Sequence, residues 1–398
     1  MYRVSARLKR DVVPELLQEA LDRTMPWFES FRVRLRRGFF WYYFETNGKR
    51  PTIGEEAKTP CGTIDQAGSN QFLFTVSYFR KRISLEVFHA LSDGAGAVNF
   101  LKDLTCRYVR LADPKDPAAD GRELPSVEVT SDPEDSYEKN YRKGDGYGLG
   151  TTRAFRLKGG KLPLYAMGVI HGYLDTEGLL SLCRRNDATV TQYLSAVLVW
   201  SLYREYMKGR PHGEPILIHL PVNLRPYFDS TTTMNFFSSI QVGMKIERDD
   251  HTFDEMLEAV VGQCRRQLSK DLLSRRFAGN VAVSRNLFVR FLPLFAKDLG
   301  LKIAYLRSCR SHSLTLSNLG RIEVPGECRE HIEQFEVLLY VTDREPSKCG
   351  VCSFGNRTVV TFTSRLKDAF LQRAFFRKLA ADGLEVAIET NGAYNENL

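Results

Sequence analysis

The stretch from Ile83 to Arg110 constrains the fold of this chain more than any other. An apolar, β-prone run, Ile83-Ser84-Leu85-Glu86-Val87-Phe88, ends at His89. The residues Ala90-Leu91-Ser92-Asp93-Gly94 then lead into helical spacing from about Ala97 to Arg110. Strand, tight turn and helix in that order require a helix packed back on a sheet, which points to an α/β or α+β class. The same order puts a histidine at a strand end, rigidly held and facing a loop edge that a substrate can reach. That placement suits a general base. The structural alternative is a histidine that merely ends the strand while Gly94 and Gly96 form the turn.

The rest of the chain also mixes helix and strand patterns. Residues 1–10 alternate like a strand, and a helix is expected from Asp11 or Val12 to about Thr24. Phe31 to Arg36 and Phe39 to Phe44 predict a hairpin, and Gln71 to Tyr78 and Arg82 to Phe88 two further strands. Residues 112–147, with Pro114, Pro117, Pro125 and Pro133 among acidic and small residues, predict a linker or long surface loop. Strands are then expected at Arg153 to Leu157 and Leu164 to Ile170. Helices are expected after Asp175 and after Thr189, where side-chain oxygens can cap the first turn. Ile216 to Leu220 and Phe236 to Ile246 read as strands, and about Phe253 to Leu273 and Ser284 to Asp298 as helices. Four strands follow (313–316, 335–341, 349–354, 358–363), then a helix from Asp368 to Asp382 and a last segment at Leu384 to Glu389.

Composition narrows the function. With 398 residues, 43% hydrophobic and 26% charged, the chain has room for two domains or one large one. No apolar stretch reaches the roughly 18–20 residues of a membrane span. The first residues, Met1 to Arg7, enter a strand-like alternation with no hydrophobic signal region, so the expectation is a cytoplasmic protein. The eight cysteines are scattered and fit reduced thiols. The net charge of +8 is uneven: residues 113–145 carry ten acidic and five basic side chains, and residues 265–310 eleven basic and two acidic. The basic stretch reads as solvated helix faces, a platform for a phosphorylated cofactor, or a contact for an anionic membrane surface. Nucleic acid is not expected, because zinc-finger spacing, RNP-like motifs and a recognition-helix pattern are missing.

Other constellations are weaker. Cys349-Gly350-Val351-Cys352 lacks the second ligand pair that a zinc site needs, so no metal is expected. Gly-x-Ser-x-Gly, Walker and dinucleotide-binding patterns are absent. Arg225 lies in Val222-Asn223-Leu224-Arg225-Pro226 after a strand. Asn235 follows in Met234-Asn235-Phe236-Phe237, where it can bond a loop backbone or touch substrate. Ser317 and Asn318, in Thr315-Leu316-Ser317-Asn318-Leu319-Gly320, either donate to a developing oxyanion or simply make an Asn-Leu-Gly turn.

The run His89-x-x-x-Asp93-Gly94 resembles the signature of the chloramphenicol-acetyltransferase-like acyltransferases, which include alcohol acetyltransferases, plant acyl-CoA transferases and peptide-synthetase condensation domains. In that superfamily the motif usually has two adjacent histidines, the second catalytic; Phe88 stands at the first position and His89 at the second. The later elements come in the same order, so the resemblance spans nearly the whole chain and points toward the bacterial alcohol acetyltransferases. It implies two similar subdomains with mixed sheets, about 1–165 and 172–398, and an active site in a channel between them. It implies His89 as base, Asp93 as a structural carboxylate paired with an arginine (for which Arg225 is the candidate), Gly94 in the turn, and acyl-CoA as cosubstrate with no resident cofactor. An alcohol or amine would be the acceptor. Three other readings stay open: a stand-alone condensation-type domain using a carrier-protein thioester, a non-catalytic binding module, and a peripheral membrane protein using the basic stretch near Leu287 to Leu306.

Overall fold

A computed structural model describes residues 1–62, 68–113, 134–142, 152–163 and 166–393, apart from the side chain at position 280. The protein is of the mixed α/β class. One sheet has five strands in the order Ile332–Leu339, Tyr2–Leu8, Arg82–Val87, Phe74–Phe79, Ile53–Glu55. Its pairs are antiparallel except the last, which is parallel. A second sheet has seven strands in the order Val386–Thr390, Gly168–Asp175, Arg357–Ser364, Ser347–Phe354, Leu314–Arg321, Ile216–Asn223, Phe237–Met244. It too is mixed: the first four strands pair antiparallel, whereas Leu314 and Thr315 pair in parallel with Ile218 and His219. Val33–Arg37 and Tyr42–Thr46 form the expected hairpin.

The chain divides into two compact units. The first comprises Met1–Asn140, Asn223–Phe237 and Leu319–Leu339; the second comprises Tyr141–Val222, Ser238–Asn318 and Tyr340–Leu398. Two segments from the later half of the sequence therefore belong with the first unit, and one of them carries Arg225 and Asn235.

In the first unit, Tyr2–Leu8 is sandwiched between antiparallel neighbours, so its alternate residues are buried on both faces. The inward Arg3 is neutralised by Glu86 and Glu56. The helices Pro14–Thr24 and Gly94–Ala112 pack together over a ring cluster in which Phe31 stacks on Phe100 at 4.6 Å. In the second unit, the helix Val190–Glu205 is buried almost all round. It starts at a capping box in which the Thr189 hydroxyl accepts from the Gln192 backbone and the Gln192 amide oxygen accepts from Thr189.

Several local expectations need correction. Arg153 to Leu157 is not a strand: Ala154 and Leu157 are buried, but the backbone bonds go to loop carbonyls of Arg310 and Pro215. Apolar alternation there records anchoring, not a ladder. The helix expected over 253–273 is two, Phe253–Gln267 and Lys270–Arg285, because the Ser269 hydroxyl caps a new helix at Lys270 by accepting from the Leu272 N–H. The helix expected over 284–298 breaks into Leu287–Phe291 and Leu294–Ser308 at Pro293, which has no N–H to continue the ladder. Ile53–Glu55 is a strand without a clear sequence signal. Of the expected linker 112–147, residues 114–133 and 143–147 lie outside the described residues. Ser136–Lys139 is a short helix, with Ser136 buried.

Candidate active site

Arg82–Val87 ends two residues before His89, and Asp93 caps the helix Gly94–Ala112. The intervening loop is held by hydrogen bonds from several side chains. The Tyr2 hydroxyl donates to the carbonyls of Asp93 (2.7 Å) and Ser92 (3.0 Å). The Ser92 hydroxyl donates to the Thr233 carbonyl at 2.6 Å. The Asn235 amide nitrogen donates to the carbonyls of His89 (2.8 Å) and Ala90 (3.1 Å). The loop's geometry is thus written by residues 232–236, far away in sequence.

Asp93 is the centre of that scaffold. One carboxylate oxygen accepts from the Gly96 N–H at 3.1 Å, the N-cap bond of the helix. The other accepts from Arg225 Nη1 at 2.9 Å and from the Phe236 N–H at 2.8 Å. These bonds spend the carboxylate on the loop and the helix, not on the imidazole. Arg225 is equally committed: Nε donates to the Thr232 carbonyl (2.8 Å), Nη2 to the Met234 carbonyl (2.6 Å) and Nη1 also to Asn223 Oδ1 (3.1 Å). A planar fork that reaches three directions suits arginine and not lysine. The pair is buried, with 12% and 7% of the side chains exposed. The glycines have steric reasons as well. A Cβ on Gly96 would overlap the Thr233 carbonyl and Ser92 Oγ, and one on Gly94 would strike the Leu319 side chain.

His89 retains solvent access, yet its ring stands between the rings of Tyr2 (centroids 5.1 Å apart) and Phe237 (5.5 Å). The protein packed around the imidazole lowers its pKa from the ordinary histidine value. Weaker opposing effects come from a hydrogen bond to its own carbonyl, from the Asp93 charge and from the Asn235 amide. Asn235 Oδ1 is buried without a hydrogen-bond partner. Asn235 Nδ2 is spent on the two loop carbonyls, so the side chain fixes the loop.

Ser317 and Asn318 belong to the second unit, where Asn318 Nδ2 donates to Thr191 Oγ1 at 3.0 Å. Cys349 and Cys352 occupy buried positions on one strand, and among the described residues no His, Cys, Asp and Glu group could hold a metal. Sequence reasoning missed Tyr2, Ser92, Thr233 and Phe237. It also missed Tyr137, whose hydroxyl donates to the Phe237 carbonyl (2.6 Å) and accepts from the Phe237 N–H (2.9 Å).

The second unit holds another titratable cluster. The rings of His219 and His312 lie 4.9 Å apart, and His312 Nε2 is 2.8 Å from Glu345 Oε1. Burial, with the neighbouring His312 charge, pushes the His219 pKa down to about 3. The Glu345 carboxyl is held at about 2: burial opposes ionisation, but His312 and Lys348 outweigh it.

No protein-family model matches this chain, and no curated protein matches it. Solved structures do. TRI101 of F. graminearum, solved with coenzyme A and deoxynivalenol, superposes with a TM-score of 0.62 at 11% identity, covering 97% of this chain and 96% of that one. The polyketide synthase associated protein 5 of Mycobacterium tuberculosis gives 0.58 at 12% identity, covering 96% and 92%. The first condensation domain of the CDA synthetase gives 0.56 at 14% identity, covering 97% and 93%. Over essentially its whole length, the chain has the fold that these three proteins share.

Proposed function

We propose that the protein is an acyltransferase that moves an acyl group, acetyl in the simplest case, from acyl-CoA to an alcohol or amine. The observation that carries this reading is His89 itself. It is a solvent-accessible imidazole at a strand end, with its pKa lowered toward the neutral form and its loop fixed by the Asp93–Arg225 scaffold. The likeness to a structure solved with coenzyme A supports the donor class.

In this reading the neutral His89 imidazole takes the proton of the acceptor O–H or N–H as that atom attacks the thioester carbonyl. The tetrahedral intermediate collapses, the C–S bond breaks, and the thiolate recovers the proton from the imidazolium. The products are an ester or amide and free CoA thiol. A thiolate leaves readily, so no covalent enzyme intermediate is needed. Positioning and one base, worth about 10²–10⁴-fold, bear the rate. Asn235 holds the carbonyls of His89 and Ala90, so the loop that carries the base keeps its shape. Asp93, Gly94 and Arg225 position the base without touching substrate.

Likeness to a condensation domain favours a second donor, a carrier-protein thioester. Incubation with matched acetyl-CoA and acetyl-carrier protein, with mass detection of acylated products from a mixed alcohol and amine panel, separates the two. Product from acetyl-CoA alone supports the first reading. Product only from the carrier moves the protein to the second, and none from either refutes both.

A further inference from the structure

The helices Leu287–Phe291 and Leu294–Ser308 lack a core of their own. The first buries no residue, and the second buries only Leu294. Their large apolar side chains face solvent instead: Phe288 is 87% exposed, Phe291 73%, Phe295 71% and Leu301 66%. A helix that is apolar on most sides is ordinarily covered by protein or lipid. Residues 285–310 carry six cations, Arg285, Arg290, Lys297, Lys302, Arg307 and Arg310, against the single anion Asp298. Apolar and cationic side chains thus alternate along the same short stretch.

We infer that this segment docks the second unit on an anionic lipid surface. Aromatic and aliphatic side chains enter the acyl boundary, while lysine and arginine stems lie along it and place their charges among headgroup phosphates. Charge complementarity selects lipid over a second copy. An isologous contact would set the same six cations against their equivalents. No helix among the described residues is long and apolar enough to cross a membrane. This inference does not depend on the acyl-transfer reading.

The test is co-sedimentation of the full chain with phosphatidylcholine vesicles, with and without phosphatidylglycerol, across ionic strength. The chain is expected to bind the anionic vesicles and to be released by salt. Phe288→Ser, Phe291→Ser and Phe295→Ser should each weaken binding by roughly tenfold or more. Arg290→Gln with Lys302→Gln should lower the preference for anionic over neutral vesicles by about tenfold. All these positions are exposed, so thermal unfolding should be unchanged. Failure of the intact chain to bind anionic vesicles, or binding that survives the serine variants, overturns the inference. So does light scattering that shows a dimer dispersed by the same variants, which would make the segment an interface between copies.

Discussion

Replacing Arg225 with alanine removes four hydrogen bonds at once, to Asp93, Asn223 and the carbonyls of Thr232 and Met234. Asp93 remains buried, with only the N–H groups of Gly96 and Phe236 to support its charge. Breaking a buried pair from one side costs about 3–5 kcal/mol. For a unit of this size that lowers the melting temperature by roughly 6–20 °C. Asp93→Ala should cost a similar amount, since it loses the helix N-cap and strands the guanidinium. Arg225 and Asp93 act through one bond network, so the double variant should be more stable than the sum of the singles implies, by about 1–3 kcal/mol. Arg225→Lys should recover less than half of the loss, because an ammonium cannot reach three carbonyl and carboxylate positions as a planar fork does. The assay is urea unfolding followed by tryptophan fluorescence and by circular dichroism, to separate the transitions of the two units. A cost under about 1 kcal/mol for Arg225→Ala, or strict additivity in the cycle, would refute the claim that this pair holds the loop.

Other expectations follow from the same geometry. Asn235→Ala frees the carbonyls of His89 and Ala90, so kcat/KM should fall about 10–100-fold for a stability loss near 1 kcal/mol; an unchanged kcat/KM would remove its positioning role. Gly96→Ala pushes a methyl into the Thr233 carbonyl and should destabilise the first unit by several kcal/mol, on the scale of about 1–3 kcal/mol or more for overpacking; a melt within a degree of wild type would contradict the packing. His89 must be neutral to act, and its pKa is lowered, so the acid limb of kcat/KM should fall below pH ~6.5, with full rate above it. An acid limb above that value would exclude His89 as the titrating group. His219 has a folded pKa of about 3, far below the unfolded value of ~6.5. Its contribution to stability is therefore complete above ~6.5 and lost as pH falls toward 3, by up to about 1.4 kcal/mol per pH unit. His219→Phe should flatten that slope in urea midpoints measured between those limits, and an unaltered slope would contradict the assignment.

What could be read in advance followed the range of each interaction. The strand, loop and helix around His89 are local, and hydrophobic period and turn residues announce them. Even there the helix starts at Gly94, not near Ala97, because glycines that look like turn punctuation serve close approach to Thr233 and Leu319. Arg225 could be nominated as the partner of Asp93, but its three other acceptors could not, since they arise from how the chain folds between Asn223 and Asn235. Tyr2 and Phe237 were not legible at all. Tyr2 reaches the loop only because it pairs with Val87 in the sheet, and a single sequence does not reveal that register. The split at Ser269 and the break at Pro293 carried visible signals, a capping serine and an imino acid, that a reading by apolar period alone passes over. The helices on either side of Pro293 expose large apolar side chains as well as charged ones, and charge counting alone does not show how uncovered those apolar residues are.

The central claim is that His89 is the base of an acyl transfer. It is tested most directly by release of free CoA thiol from acetyl-CoA and longer acyl-CoAs, in the presence of mixed alcohols and amines, for the wild type beside His89→Ala. The account predicts acceptor-dependent release that falls by about 10²–10⁴-fold in the variant while its unfolding curve stays in place. Absence of release with every donor, or release that the variant leaves unchanged, would contradict it.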